Sequence, residues 1–244
     1  MALAPLRWKA LACAGLLWAV GAGSAATRGG AGLYAAPSWL RLEATQRSAE
    51  LDLSNTGDHP LHAQVRLYRW SQEDGEERLL PTRDLAASPP LLEIPAGQRQ
   101  KVRIVRLDAS QSLREGSYRL IIDQLPRQDA AGPQTVLRYS TPVFIAPPGQ
   151  AAPRLLARLA REGADTVLRI DNHGDAHARL VDLAWIDADG RRVELAGRLA
   201  GYVLPGQYRT WTLPARAGGY AGGRFEARLN RDGAAQPLAL APER

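Results

Sequence analysis

Two stretches of this chain repeat one pattern, and the pattern leaves little choice of fold. The first reads Leu51-Asp52-Leu53-Ser54-Asn55-Thr56-Gly57-Asp58 and runs into Ala63–Trp70, where apolar and polar residues alternate. The second reads Leu168-Arg169-Ile170-Asp171-Asn172-His173-Gly174-Asp175 and runs into Ala178–Trp185. Later in each half comes a Pro-Gly turn and another strand. Ile94-Pro95-Ala96-Gly97-Gln98 leads to Val102-Arg103-Ile104, and Leu204-Pro205-Gly206-Gln207 leads to Thr210-Trp211-Thr212-Leu213. Alternation of period 2 puts successive side chains on opposite faces of a strand. Asn and Gly accept the positive φ of tight turns, and Pro pre-sets a bend. Short strands cut by such turns predict an all-β chain of two immunoglobulin-like β-sandwich domains in tandem. Helical periodicity is nearly absent. Leu155–Arg161 reads as one turn of helix or an edge strand, and strand is favoured.

The ends and the joint between the halves complete the expected layout. Arg7 and Lys9 precede an uncharged apolar run, Ala10–Gly23, and Ser24-Ala25-Ala26 supplies small residues for cleavage. That is the build of a secretory signal peptide over residues 1–26, and it predicts export to the periplasm. The run is short for a bilayer, and no later segment approaches the roughly 20 apolar residues of a membrane helix, so membrane insertion is not expected. Cys13 lacks the aliphatic residue three positions earlier that lipidation favours. Ala146-Pro147-Pro148-Gly149-Gln150-Ala151-Ala152-Pro153 cannot continue a central strand, because its prolines lack the donor. The expected division is therefore an N-terminal domain over 27–147, a linker over 148–153 and a smaller C-terminal domain over 154–244.

Composition removes several chemistries. Cys13 and Met1 are the only residues of their kinds, so a chain cut after Ala26 has neither. Disulfides, a thiol nucleophile, zinc–thiolate and blue-copper sites are then excluded. The signal holds two of the 31 basic residues and none of the 25 acidic ones, which brings the formal charge from +6 to +4. Lys101 is the one lysine left. A modest arginine excess suits carboxylate recognition, and export argues against nucleic acid as a partner. No nucleophile elbow, phosphate-binding loop or zinc-protease motif is present, so neither enzyme activity nor a cofactor is expected. His59, His62, His173 and His177 all fall at turn signals and read as solvated loop residues rather than metal ligands. Ser71–Arg78, with Glu73, Asp74, Glu76 and Glu77, reads as an exposed loop rather than an acid/base pair.

Several segments in their order and spacing are similar to a known family. They are Leu51–Gly57, Val65–Trp70, Ser88-Pro89-Pro90, Ile94–Gly97 with Val102–Ile104, Ser117–Pro126 and Leu137–Phe144, with Gly201–Leu204 in the second half. Together they resemble PapD-like periplasmic pilus-assembly chaperones of the chaperone–usher pathway, most of all the archaic, Csu-type branch. The resemblance implies a chaperone that stabilises pilus subunits and delivers them to an outer-membrane usher. Its means would be donor-strand complementation, chaperone–pilin complexes being a recognised instance of β-augmentation. The implied donor is the last strand of the first domain, Pro133–Phe144. By the family's register Pro133, Thr135 and Leu137 point into the subunit, with Tyr139 on the same face and Val136, Arg138 and Ser140 on the other. Many members hold the subunit's terminal carboxylate with an arginine on the first strand and a lysine late in the donor strand. Here the late position is Pro142, the first strand offers Trp39 or Arg41, and Arg103 is the expected replacement, since a guanidinium can bind a carboxylate in bidentate fashion. The implied subunit-binding set is Arg103, Arg41, Arg138, Pro133, Thr135, Val136, Leu137 and Tyr139. Gln124 stands where the family often has an acidic residue tied to the domain contact, so that ion pair is not assumed. An immunoglobulin-like surface module, adhesin or pilus component is the alternative function. Weak self-association of the free protein is left open.

Overall fold

The computed structural model describes residues 32–108, 110, 112–128, 132–220, 222–230 and 234–241, so the expected signal segment lies outside the described residues. The described chain is built from strands alone. In the first half they are β1 Leu33–Ala36, β2 Leu40–Leu42, β3 Ser48–Asn55, β4 Leu61–Glu73, β5 Glu76–Pro81, β6 Leu85–Ser88, β7 Leu91–Ile94, β8 Arg99–Arg106, β9 Gly116–Leu125 and β10 Arg138–Ile145. In the second they are β11 Leu155–Glu162, β12 Asp165–Asn172, β13 Ala178–Ile186, β14 Arg192–Ala196, β15 Gly201–Val203, β16 Tyr208–Thr212, β17 Arg224–Leu229 and β18 Ala235–Pro237. Leu155–Arg161 is thus strand.

Each half folds as two facing sheets. The first pairs β1-β3-β8-β6 with β2-β10-β9-β4-β5, where β7 also pairs β4. The second pairs β11-β12-β16 with β14-β13-β17-β18, where β15 also pairs β13. Alternation does the sorting. Along β4, Leu61, Ala63 and Val65 are buried while His62, Gln64 and Arg66 are exposed. Leu51, Leu53, Val102, Ile104, Leu120, Ile122 and Val143 close one core, and Leu168, Ile170, Leu180, Leu183, Val203 and Phe225 close the other.

The repeated Asn-Gly and Pro-Gly signals form the same corner twice. Asn55 Nδ2 donates to the carbonyls of His59 and Ile94, at 2.7 and 2.9 Å, while its Oδ1 accepts the Gly57 N–H. Asn172 Nδ2 donates to the carbonyls of Ala176 and Val203, at 2.8 and 3.0 Å, while its Oδ1 accepts the Gly174 N–H. The main-chain N–H of each Asn donates to Gln98 or Gln207 just beyond the Pro-Gly turn. Each buried carboxamide therefore locks one turn onto the other. The turns bend at Gly97 and Gly206, with φ of 69° and 70°, where other residues are strained. Gly174 matters for space instead: a Cβ there would lie 2.2 Å from the Ala152 carbonyl oxygen of the connecting segment.

The stretch Ser71–Arg78 is not the loop expected from its acidity. It is the end of β4, a tight turn and the start of β5, with Arg78 opposite Ser71 in the ladder. Asp74 and Gly75 carry φ of 51° and 79°, the positive values that two-residue hairpin turns need. The hairpin tip meets the second half, for a Cβ on Gly75 would lie 3.0 Å from Thr210 Oγ1.

Candidate functional site

Two features of the structure stand open. One is a sheet edge. Strand β10 pairs β9 along its length, but β2 covers its other side only from Val143 to Ile145. The Leu137 carbonyl accepts the Gln124 N–H, which sets the parity of the ladder: odd-numbered residues bond to β9. Arg138 and Ser140 then direct their main-chain N–H and C=O groups outward, and Pro142, which has no N–H, falls at an outward position where none is needed for the fold. An unpaired row of this kind is a template for another strand. The side chains of the odd residues run along the domain's own core: Leu137 and Tyr139 pack against it half-buried, and Val143 and Ile145 lie within it. Tyr139 donates its hydroxyl to the Leu33 carbonyl of β1, the edge of the facing sheet, at 2.5 Å. That bond spans the two edges, and the apolar face of β10 runs out to them from the core.

The second feature is a cleft of about 830 Å³ between the domains, lined by Trp39, Arg41, Arg119, Phe144, His177 and Tyr202 among others. Its floor is an aromatic cluster, with Trp70, Phe144, Tyr202 and Leu204 buried and Trp39 packed on them. Four arginines reach it: Arg41, Arg119, Arg179 and Arg209. Arg119 stacks on Trp70 at 3.7 Å and Arg209 Nη1 donates to Glu77 Oε1 at 2.6 Å. Burial lowers the pKa of Arg119, and the nearby Glu77 carboxylate works against that shift. Gln72 seals the contact from within. Its Nε2 donates to the Tyr202 carbonyl at 2.7 Å, its Oε1 accepts the Leu204 N–H at 3.0 Å, and its N–H donates to Gln207 Oε1.

The structure sorts the residues expected from sequence. Arg41 lies in the cleft, opposite Phe144 in the β2–β10 ladder, with Nε on Glu43 Oε1 at 2.9 Å. Trp39 and Pro142 line the same cleft. Arg138 sits at the open edge, but it and Arg66 both bond Asp123. Burial alone would raise the Asp123 pKa; bonds from Arg138 and Arg66 outweigh it and hold the carboxyl below its usual range. Arg103 is elsewhere, on the outer face of the four-stranded sheet, where it and Lys101 flank Glu50 at 3.4 and 2.7 Å.

Pro133, Thr135 and Val136 are exposed and precede the ladder, which begins at Arg138 rather than at Pro133. Two glutamines explain the late start. Gln134 exchanges hydrogen bonds with the Arg127 main chain, at 2.7 and 2.8 Å, and holds the segment in its own loop. Gln124 accepts the Leu137 N–H through its side chain rather than its main chain. Gln124 thus serves the strand's start.

His177 departs from the expectation of a solvated turn. It is largely buried, its ring lies flat on Phe144 with centroids 3.6 Å apart, and its Nδ1–H donates to Glu115 Oε1 at 2.6 Å. Glu77 likewise is no idle surface acid, because it receives Arg209 and faces Arg119. Sequence reasoning passed over Gln72, Glu115, Arg119 and Arg209. The alternation of β4 and β9 marks Gln72 and Arg119 as facing away from the core, and only the second domain decides what they meet. Among the described residues no group of three or more His, Cys, Asp or Glu side chains could hold a metal ion.

Known proteins match this architecture. Residues 32–151 match the family model described as pili and flagellar-assembly chaperone, PapD N-terminal domain. No curated protein matches the chain by sequence. Among solved structures, a chain of the CsuC–CsuE chaperone–tip adhesion subunit pre-assembly complex from the archaic Csu pili of Acinetobacter baumannii is similar at 20% identity and TM-score 0.70, over 87% of this chain and 100% of that one. The E. coli chaperone DraB is similar at 19% identity and TM-score 0.61, over 86% of this chain and 97% of its own. A chain of the Salmonella enterica SafA pilin–SafB chaperone complex is similar at 17% identity and TM-score 0.60, over 85% of this chain and 94% of that one. Residues 32–151 are thus a PapD N-terminal domain of the pili and flagellar-assembly chaperone family.

Proposed function

We propose that this protein is a periplasmic chaperone of the archaic branch that captures pilus subunits by adding β10 to them and passes them to an outer-membrane usher. The observation that carries this reading is the open edge at Arg138–Pro142, where outward main-chain groups lie beside an apolar face that continues the domain core. A subunit lacking one strand exposes the complementary groove and unpaired main chain, and a lent strand satisfies both together. Similar chaperones in complex with a tip adhesion subunit and with a pilin support the same role here. The reaction needs no cofactor and makes no covalent bond. The exported form starts near Thr27, with domains over 27–147 and 154–244.

The subunit's terminal carboxylate goes to the cleft in this reading. Arg41 is beside the point where β2 takes over the edge of β10, so a strand added to Arg138–Pro142 ends at its guanidinium. Arg103 with Lys101 is the competing position, two cations facing the single Glu50 carboxylate on an exposed face.

The test is co-expression with a secreted subunit encoded beside this chain, followed by co-purification from periplasm. Wild-type protein should recover the subunit one to one. Arg41→Ala should reduce recovery strongly, since losing a charged partner typically costs about 2–5 kcal/mol when the contact is buried. Arg103→Ala should leave recovery near wild type. The reverse pattern moves the anchor to the outer face, and no recovery by any form defeats the chaperone reading.

A further inference from the structure

Glu115 precedes β9 at the base of the cleft, and its side chain has no exposure to solvent. Its Oε1 accepts the His177 main-chain N–H at 3.0 Å and the His177 Nδ1–H at 2.6 Å, and its N–H donates to the Asp175 carbonyl at 2.9 Å. Three bonds therefore fasten it to the second domain. Its Oε2 accepts no hydrogen bond and faces Arg41 Nη1 at 3.6 Å. Arg41 divides itself between this buried carboxylate and the exposed Glu43. The ring of His177 lies on Phe144, the residue opposite Arg41 in the ladder. Arg41, Glu115, His177 and Phe144 make a closed circuit that crosses from one domain to the other.

We propose that Glu115 is a positioning residue: it aims Arg41 into the cleft and couples that guanidinium to the second domain through His177. The inference rests on the reading that Arg41 receives the subunit's carboxylate. A buried carboxylate with one oxygen unbonded is costly to keep, and a partner held at 3.6 Å leaves the contact room to tighten. An arriving carboxylate displaces the exposed Glu43, whereas Glu115 is walled in and stays. Closing the Arg41–Glu115 contact then pulls on the His177 bonds, so capture at the cleft is felt by the second domain.

The opposite expectation is equally definite. If Glu115 only adds negative charge near the site, removing that charge should strengthen the binding of an anion. Sodium acetate titrated into the full-length free protein is the probe, followed by the NMR signals of the Arg41 Nε–H and the His177 ring. In the wild type both signals should move along one binding curve. In Glu115→Gln the acetate affinity at Arg41 should fall about fivefold, the net scale of one ordinary hydrogen bond gained on capture, and His177 should stop responding. Glu115→Asp, which keeps the charge, should restore part of the His177 response. His177→Ala breaks the same circuit from the other domain and should reproduce the weakening, which guards against a Gln variant that does not fold. Unchanged or tighter acetate binding in Glu115→Gln with a normal Arg41 response overturns the positioning role alone. An Arg41 signal that ignores acetate in the wild type overturns the carboxylate reading and this proposal with it.

Discussion

Thr135→Asp should abolish subunit recovery while the free protein accumulates and melts as the wild type does. Thr135 is exposed and lies outside β10 in the free protein; in the proposed complex the lent strand extends back through it, which puts it on the face of Leu137 and Tyr139, toward the subunit groove. A carboxylate buried there without a partner costs several kcal/mol, enough to weaken capture by about 100-fold or more. Leu137→Asp should also stop capture, but it should lower the melting temperature as well, because Leu137 already packs on the domain's own core. The exposed position therefore isolates binding from folding. Val136→Asp, on the opposite face, is the register control and should be tolerated. If Val136→Asp stops capture and Thr135→Asp does not, the lent strand presents its other face.

Phe144→Ala should be the most damaging single truncation at the domain contact. Phe144 is 1% exposed and touches Trp70, Tyr202 and His177 at ring-centroid distances of 6.1, 6.1 and 3.6 Å. Removing a buried Phe side chain typically costs about 3–5 kcal/mol, or roughly 10 °C in melting temperature for a chain of this size. Because the lost packing lies between the domains, the variant should unfold in two resolved calorimetric transitions. Phe225→Ala, in the core of the second half, should lower that half's transition and leave the domain contact in place. A melting temperature within a degree or two of wild type for Phe144→Ala contradicts the assigned role of the aromatic floor.

How far these residues could be found from sequence depends on whether their partners are near in the chain. The strands were legible because alternation is local, and the repeated Asn-Gly and Pro-Gly signals marked corners that the structure builds twice around Asn55 and Asn172. Pro142 carries an edge-strand signal of its own, since it lacks a donor and sits where the ladder with β9 needs none. The hairpin at Asp74-Gly75 carried a readable turn signal, but the surrounding acids made it look like a solvated loop. His177 was misjudged because its partner Glu115 lies 62 positions away and approaches only when the domains meet. Arg41 and Arg103 look alike in sequence, each a cation between two apolar strand residues. What separates them is which sheet each strand joins: β2 closes the edge of the six-stranded sheet beside the cleft, and β8 runs inside the four-stranded one. In the free protein β10 begins only at Arg138, because Gln134 and Gln124 use side chains, which leave no periodic trace, to hold Pro133–Val136 off the ladder.

Amide hydrogen exchange along β10, with and without a captured subunit, tests strand lending most directly. In the free protein the N–H groups of Tyr139 and Thr141 point into the ladder with β9 and should exchange slowly, whereas those of Arg138 and Ser140 point outward and should exchange quickly. Capture should protect Arg138 and Ser140 strongly and leave Tyr139 and Thr141 little changed, an every-second-residue signature that side-chain contact alone does not produce. Outward amides that stay fast in a complex of confirmed stoichiometry would contradict the account, because the subunit would then be held somewhere other than the edge of β10.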